Sequence, residues 1–146
     1  MLLTAALVAA AVVDLRTRTI PNGLTAAIAL LAIPFWWATG LDFWPDIAIR
    51  IAVAAGVFAF FAGAFAIGMM GGGDVKLVAA ISLWLNPAAV VVLLVLTSLA
   101  GGALTVVMLL WHWRARSKRN IEIPYGVAIA FGGLWLISER ILNQFG

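Results

Sequence analysis

The sequence predicts an all-α, polytopic membrane protein with six transmembrane helices. Of its 146 residues, 65% are hydrophobic and 10% are charged, whereas soluble domains carry about 25% charged residues. The apolar residues form long runs separated by short polar or charged segments, as in multi-pass helical membrane proteins. One integral-membrane domain, residues 1–146, accounts for the chain, since no segment is long enough for a separate soluble catalytic module.

The first predicted span, residues 1–13, ends at Asp14. No Lys or Arg precedes this apolar stretch, and Arg16 and Arg18 follow it. This order of charges favours a retained helix, with its C-terminal end facing the cytoplasm, over a cleaved signal peptide. A polar break, residues 14–23, then leads to the second span.

The second and third spans are predicted at residues 24–39 and 47–70. Trp36, Trp37 and Trp44 are expected to lie in an aromatic belt at the membrane interface, although ordinary packing explains each of them almost as well. Arg50 lies one turn inside the third span, and its side chain is expected to extend back towards the outer face.

The last three spans are predicted at residues 75–85, 88–111 and 124 to about 137. The fourth has only eleven residues before an Asn-Pro pair, roughly half of a bilayer crossing. A basic cluster, residues 112–120, separates the fifth span from the sixth and is expected to anchor the chain to anionic lipid.

The basic residues predict the orientation of the chain. If the break at residues 14–23 faces the cytoplasm, alternate loops do so too. Seven of the nine basic residues then lie on the cytoplasmic side, namely Arg16, Arg18, Lys76, Arg114, Arg116, Lys118 and Arg119. Arg50 and Arg140 lie outside. This bias predicts a cytoplasmic (inner) membrane protein with both termini outside and Asp14 and Asp74 on the cytoplasmic side.

The composition excludes several kinds of site. The chain has no cysteine and a single histidine, His112, so it cannot supply a cysteine nucleophile or a Cys/His metal centre. No metal and no cofactor are expected. Ser82, Ser98 and Ser138 lie in or beyond the spans, far along the chain from His112, which argues against a serine–histidine nucleophile. The net charge of +3 follows the topology and gives no reason to expect a nucleic-acid partner.

Two aspartates carry the candidate chemistry. Asp14 ends the first apolar run and Asp74 begins the fourth, so both lie at the same predicted membrane level. Two carboxylates brought together in a low-dielectric site cannot both ionise, and they share a proton. The ionised one can deprotonate a water while the protonated one donates to a carbonyl oxygen. This pair can therefore hydrolyse a peptide bond without a metal or a covalent intermediate.

Three glycines precede the second aspartate in the segment Gly71-Gly72-Gly73-Asp74-Val75-Lys76. They leave the backbone in front of the carboxylate without side chains, so that a substrate backbone can approach closely. The plain alternative is a turn in which Asp74 is merely the N-cap of the next helix. Lys76 either biases the aspartate pair towards negative charge or anchors the chain at the cytoplasmic face.

Three short motifs, in order over nearly the whole length, resemble those of the type IV prepilin peptidase family of GxGD membrane aspartyl proteases. They are Asp14 with Ile20-Pro21-Asn22 downstream, Gly71-x-Gly73-Asp74 followed by Lys76-Leu77, and Pro124-Tyr125-Gly126 at the head of the last helix. Presenilin-like proteases also use GxGD, but their Pro-Ala-Leu motif has no counterpart in the last span.

The resemblance implies a GxGD aspartyl protease-like fold and an aspartic endopeptidase with Asp14 and Asp74 as its catalytic pair. It also implies a partner, a pilin-like precursor whose basic leader precedes a hydrophobic helix and is removed at the cytoplasmic membrane face. Many bacterial members add a zinc-binding cysteine insertion and methylate the new N-terminus. This chain lacks those cysteines and is similar to the short form associated with Flp/Tad-type or preflagellin processing. No methyltransferase activity is expected, and the oligomeric state is left open.

Smaller roles are predicted for residues around the two aspartates. Pro21 is expected to set the backbone after the first helix and Asn22 to cap the second span. Pro124 suits the first position of a helix, which explains it without any chemistry. The expected substrate-binding set comprises Gly71, Gly73, Lys76, Pro21, Asn22, Pro124, Tyr125 and Gly126.

Two other classes of function fit parts of the sequence. A small ion-coupled transporter would use Asp14 and Asp74 as proton or cation ligands, although no internal repeat is found. A non-catalytic subunit of a pilus-assembly system is the other possibility. Removal of a leader from a pilin precursor distinguishes a peptidase from both.

Overall fold

The computed structural model describes residues 2–17, 19–115 and 125–145, which form six α-helices and contain no β-strand. In chain order the helices are α1 (Leu2–Thr17), α2 (Asn22–Ala38), α3 (Ala48–Ala66), α4 (Gly72–Ser82), α5 (Pro87–Ala115) and α6 (Tyr125–Phe145). A turn at Phe43–Ile47 leads directly into α3. The all-α prediction is therefore confirmed over the described residues.

Two stretches, Phe43–Ala66 and Pro87–Trp111, are long and apolar enough to cross a membrane. The stretches Asn22–Ala38 and Tyr125–Glu139 are apolar but shorter, and α4 has eleven residues. The predicted count of six membrane crossings thus remains a prediction.

The third helix ends four residues before the predicted end of its span, at Ala66 rather than at residue 70. Gly68 has a positive φ of 75°, a backbone conformation that glycine adopts without penalty. The Gly68 N–H donates to the Phe65 carbonyl at 2.9 Å and the Met69 N–H donates to the Ala64 carbonyl at 2.9 Å. This is the glycine-terminated helix end known as the Schellman motif, and it turns the chain towards the glycine run.

The short helix α4 is the centre of the fold. Seven of its eleven residues are buried, as expected for a helix that is apolar on nearly every side. It packs against α2, α3 and α6, while α1 and α5 pack chiefly against α6. Thus α4 and α6 form the middle of the bundle. Polar groups on different helices can come together near the ends of these two helices.

Helices α1, α4 and α6 meet in one tightly packed layer around Gly133. A Cβ built on Gly133 would lie 2.9 Å from Leu7 Cδ1 and 3.9 Å from Ile81 Cδ1. A Cβ here would press on the end of the Leu7 side chain of α1 and would touch Ile81 of α4 at ordinary van der Waals distance, so glycine lets the three helices pack closely. The layer fixes the three helices in register with one another.

The C-terminal end of α4 is capped by side chains from α2 and α3. Trp36 Nε1 donates to the Leu83 carbonyl and Arg50 Nη1 donates to the Trp84 carbonyl, each at 2.9 Å. These carbonyls have no partner within the helix, and burial makes an unpaired carbonyl costly. The interface role expected for Trp36 and the outward extension expected for Arg50 are therefore wrong, since their side chains are only 8% exposed.

Replacing Trp36 by phenylalanine is expected to destabilise the protein by about 1–3 kcal/mol, because it leaves the buried Leu83 carbonyl without its donor. Trp37 provides the matched control, since it is 83% exposed and Trp37→Phe is expected to change the unfolding free energy by less than about 0.5 kcal/mol. Denaturant unfolding of both variants in detergent measures the difference. Equal destabilisation would contradict a capping role for Trp36.

Candidate active site

Asp14 lies on the buried face of α1. Leu3, Leu7, Ala10 and Asp14 are all buried, and their spacing of four, three and four residues places them on one side of a helix. The helix continues past Asp14 to Thr17, so the aspartate lies in the last turn and not at the helix end. Asp14 is 4% exposed, and a carboxylate buried to that degree requires polar partners.

The first turn of α6 supplies a partner for Asp14. Its Oδ2 accepts a hydrogen bond from the Val127 backbone N–H at 3.2 Å. A Cβ built on Gly126 would lie 2.7 Å from the same oxygen, so the carboxylate fits there only because residue 126 is glycine. The N-terminus of a helix carries partial positive charge, which favours a negative carboxylate at this position.

Asp74 lies in the first turn of α4, but it is not the N-cap. Gly71 occupies that position, and the Asp74 carboxylate accepts a hydrogen bond from the Gly71 backbone N–H. The arrangement matches the acidic half of a capping box, in which the third helical residue reaches back to the N-cap N–H. A Cβ on Gly71 would lie 2.9 Å from Asp74 Oδ2, so this glycine leaves room for the aspartate of its own chain.

The two aspartates lie at the same level of the bundle. From the layer of Leu7, Ile81 and Gly133, seven residues along each helix lead to Asp14, Asp74 and Gly126 respectively. Seven residues make about two turns, or about 10 Å. These seven residues lead towards the C-terminus of α1 but towards the N-termini of α4 and α6, so α1 runs antiparallel to the other two. Both carboxylates therefore come to the end of the bundle at which α4 and α6 begin.

Ile20 fills the space between the two glycine positions beside the aspartates. A Cβ on Gly73 would lie 3.1 Å from Ile20 Cβ and 3.2 Å from its backbone nitrogen, and a Cβ on Gly126 would lie 2.7 Å from Ile20 Cδ1. Ile20 is buried at 6% exposure. No role was assigned to Ile20 from the sequence, although it belongs to the first motif. The presence of an apolar residue within the polar break at residues 14–23 was the signal that its side chain is buried.

The charge state of Asp74 is set by its surroundings. Asp74 precedes the predicted fourth span, residues 75–85, and is 9% exposed. Burial, and secondly the nearby negative charge of Asp14, raise the pKa of the Asp74 carboxyl from 3.8 to about 7, against the opposing effect of the Gly71 hydrogen bond. At neutral pH Asp74 thus holds a proton about half of the time, and it can serve as an acid.

Lys76 and Asn22 lie apart from the aspartates. Lys76 Nζ donates to Asn22 Oδ1 at 2.8 Å, and both side chains are exposed. Asn22 was expected to cap the second helix, but Pro21 is at the N-cap position and makes no side-chain hydrogen bond. The side-chain cap is missing because Pro21 has no polar side-chain atom, and Asn22, the next residue, bonds to Lys76 instead. Pro21 is exposed at the start of α2.

The third motif is divided between the site and the fold. Gly126 contacts Asp14, as described above, whereas the ring of Tyr125 packs on α5, where a Cβ on Gly101 would lie 3.0 Å from Tyr125 Cε1. Pro124 lies outside the described residues. Within residues 2–17, 19–115 and 125–145, no group of three His, Cys, Asp or Glu side chains is arranged to hold a metal ion.

A family model described as the type IV leader peptidase family matches residues 1–106. Two curated proteins called prepilin leader peptidase/N-methyltransferase, from Burkholderia pseudomallei strains 1026b and K96243, are each 30% identical over 143 aligned residues. The alignment covers 90% of this chain but 43% of each relative. No solved structure gives a significant match.

Proposed function

The chain belongs to the type IV leader peptidase family, and on this premise we propose that it is a membrane-embedded aspartic endopeptidase. Its substrates are type IV pilin-like precursors, from which it removes the leader peptide. The observation that supports this best is the shared level of Asp14 and Asp74, where burial and then the negative charge of Asp14 raise the pKa of Asp74. Both carboxylates are buried, and Asp14 accepts a hydrogen bond from the Val127 N–H at the start of α6.

The two aspartates divide the chemistry between them. Asp14, beside the positive end of α6, is the ionised partner and takes a proton from a water that attacks the scissile carbonyl carbon. Asp74 gives its proton to the carbonyl oxygen as the tetrahedral intermediate forms. The intermediate then collapses when the C–N bond breaks, the nitrogen receives the proton held by Asp14, and the hydroxyl returns its proton to Asp74. The pair ends in its starting state.

Leader removal is expected to fall as the pH rises above about 7, because Asp74 must be protonated to donate and its pKa is raised to about 7 by burial and by Asp14. Well above that pH, the rate should fall about tenfold for each pH unit as the protonated fraction shrinks. Cleavage of a precursor in liposomes between pH 5 and 9 measures the profile. A rate that stays flat up to pH 9 would contradict the assignment of Asp74 as the acid.

The proposed substrates are Flp/Tad-type or preflagellin-like precursors, cleaved at the cytoplasmic membrane face just before their hydrophobic helix. The charge distribution supports six membrane crossings with both termini outside. A reporter placed at Ser117 is expected to be cytoplasmic, since the basic cluster surrounds it. Labelling of residue 117 by a membrane-impermeant reagent added from outside would reverse this orientation.

We also infer that the chain carries no methyltransferase activity. The named relatives combine peptidase and N-methyltransferase, but this chain has no cysteine for a zinc site. Incubation of the purified chain with a pilin-like precursor and a methyl donor tests both parts of the proposal. The expected product is the mature pilin with a free, unmethylated N-terminus by mass spectrometry. An intact precursor would refute the peptidase, and a mass gain of one methyl group would refute the second inference.

A further inference from the structure

A groove of about 530 Å³ opens on the side of α4 that faces away from the aspartates. It is lined by Ala79 and Ala80 of α4 with Leu83 just beyond its end, by Ala26 and Ala29 of α2 and by Ala54 of α3. Residues 76, 79, 80 and 83 lie about half a helix circumference from Asp74, at 100° per residue. The groove is thus distinct from the site that holds the two carboxylates.

The length of the groove and the small residues that line it suit the binding of a helix. Its lining along α4 runs from Lys76 to Leu83, about two helical turns or about 10 Å. Five of its ten lining residues are alanines, and small residues allow the backbone of a second helix to approach closely inside a membrane. The large apolar side chains that line it are Phe58 and Leu83.

One end of this apolar groove carries a positive charge. Lys76 and Asn22 line it there and hydrogen-bond to each other at 2.8 Å. An ammonium group has three N–H donors, and the Asn22 bond is the one made by Lys76 within the described residues. Its remaining donors are available to a carboxylate that arrives in the groove, and a basic leader would be repelled from the same point.

We propose that this groove binds the apolar helix of the substrate precursor, and that Lys76 pairs with a carboxylate near the cytoplasmic end of that helix. The inference rests on the proposed function and assigns its substrate-docking surface. The residues ahead of the bound helix then cross the start of α4 to reach the aspartates. A helix is about 10 Å across, a distance that about three extended residues span.

Disulfide crosslinking tests where the precursor helix lies. The chain has no cysteine, so Ala29→Cys provides a single thiol in the groove, and Asp74→Asn is added to slow cleavage. Precursors with one cysteine at successive positions of their apolar helix are then oxidised with this variant in liposomes. Val107→Cys is the control, since Val107 is 61% exposed on α5, away from the groove.

We expect crosslinks to Ala29→Cys at every third or fourth helix position and only background crosslinking to Val107→Cys. Equal yields at the two positions, or crosslinking of Ala29→Cys to a second copy of the chain in place of the precursor, would overturn the proposal. The readout detects the helix whether or not the leader has been removed. Cleavage is read in parallel with an Ala29→Cys variant that retains Asp74. There, a failure of the peptidase appears as an uncleaved but crosslinked precursor, and a failure of the docking proposal as a cleaved precursor without crosslinks.

The charge at the end of the groove is tested with Lys76→Gln. For a precursor with a glutamate in the first turn of its apolar helix, the variant is expected to lower kcat/KM about tenfold, the effect of one charge-assisted hydrogen bond. For the matched precursor with glutamine at that position the loss should be at least threefold smaller. An equal loss for both precursors would show that Lys76 does not pair with the carboxylate.

Discussion

Replacing either Asp14 or Asp74 by asparagine is expected to lower the rate of leader removal by at least about a thousandfold, the usual contribution of a general acid or base. Asparagine keeps the size of the side chain, so the hydrogen bonds to Val127 and Gly71 can persist in part. It can neither take a proton from water nor hold one for the carbonyl oxygen. Co-expression of each variant with a pilin precursor, followed by gel and mass analysis, measures the fraction cleaved.

Asp42→Asn is the control for this pair, since Asp42 is an exposed acidic residue outside the site, and it should process the precursor at the wild-type rate. If Asp14→Asn or Asp74→Asn still cleaves at that rate, the assignment of the catalytic pair is wrong. The same variants separate the alternative functions. If the chain were an ion-coupled transporter, the two variants would lose transport, and the wild-type chain itself would not remove the leader. A non-catalytic assembly subunit would leave the precursor intact even with both aspartates present.

The common level of the two aspartates could be predicted from the sequence. The helical spacing predicts it more directly than the charge pattern does. The charge pattern placed Asp14 and Asp74 at one membrane face. A stronger signal lies in the spacing, since Asp14 continues the stripe of Leu3, Leu7 and Ala10, and Asp74 lies seven residues from Ile81 on its own helix. Helical periodicity alone therefore indicates that both carboxylates point into the core.

The contacts that cap helices could not be predicted in the same way. The sequence marked Trp36 and Arg50 as residues of a membrane interface, because tryptophan and arginine commonly lie there. In the structure both donate to carbonyls at the end of α4. These carbonyls need side-chain donors only because α4 is short and ends inside the bundle. The pairing depends on tertiary packing between residues more than thirty positions apart, which local patterns do not carry.

The role of the motif glycines was predicted only in part. They were expected to admit a substrate backbone, whereas Gly71, Gly73 and Gly126 each make room for Asp74, Ile20 or Asp14 of the same chain. None of the three has a positive φ; within the described residues only Gly40 and Gly68 do. The missing Cβ, and not backbone freedom, is therefore what the site requires of these glycines. An alanine substitution at Gly126 tests this requirement directly.

Gly126→Ala is expected to lower the rate of leader removal about a hundredfold, the effect of displacing a catalytic group by about 1 Å. The new Cβ would lie 2.7 Å from Asp14 Oδ2, 2.9 Å from its Cγ and 2.7 Å from Ile20 Cδ1. Since these distances are shorter than van der Waals contact, the carboxylate must move away from α6 and lose the Val127 hydrogen bond. The loss should appear in kcat at saturating precursor.

Gly102→Ala is the matched control on α5, since a Cβ at Gly102 would meet no atom within 4 Å. Alanine favours a helix over glycine by up to about 1 kcal/mol, so this variant should retain both activity and stability. Gly126→Ala should cost about 1–3 kcal/mol of unfolding free energy from overcrowding, which is too little to unfold most of the protein. Measuring the folded fraction beside kcat separates the two effects. A Gly126→Ala protein that is folded and fully active would show that the position of Asp14 against α6 is not needed for the reaction.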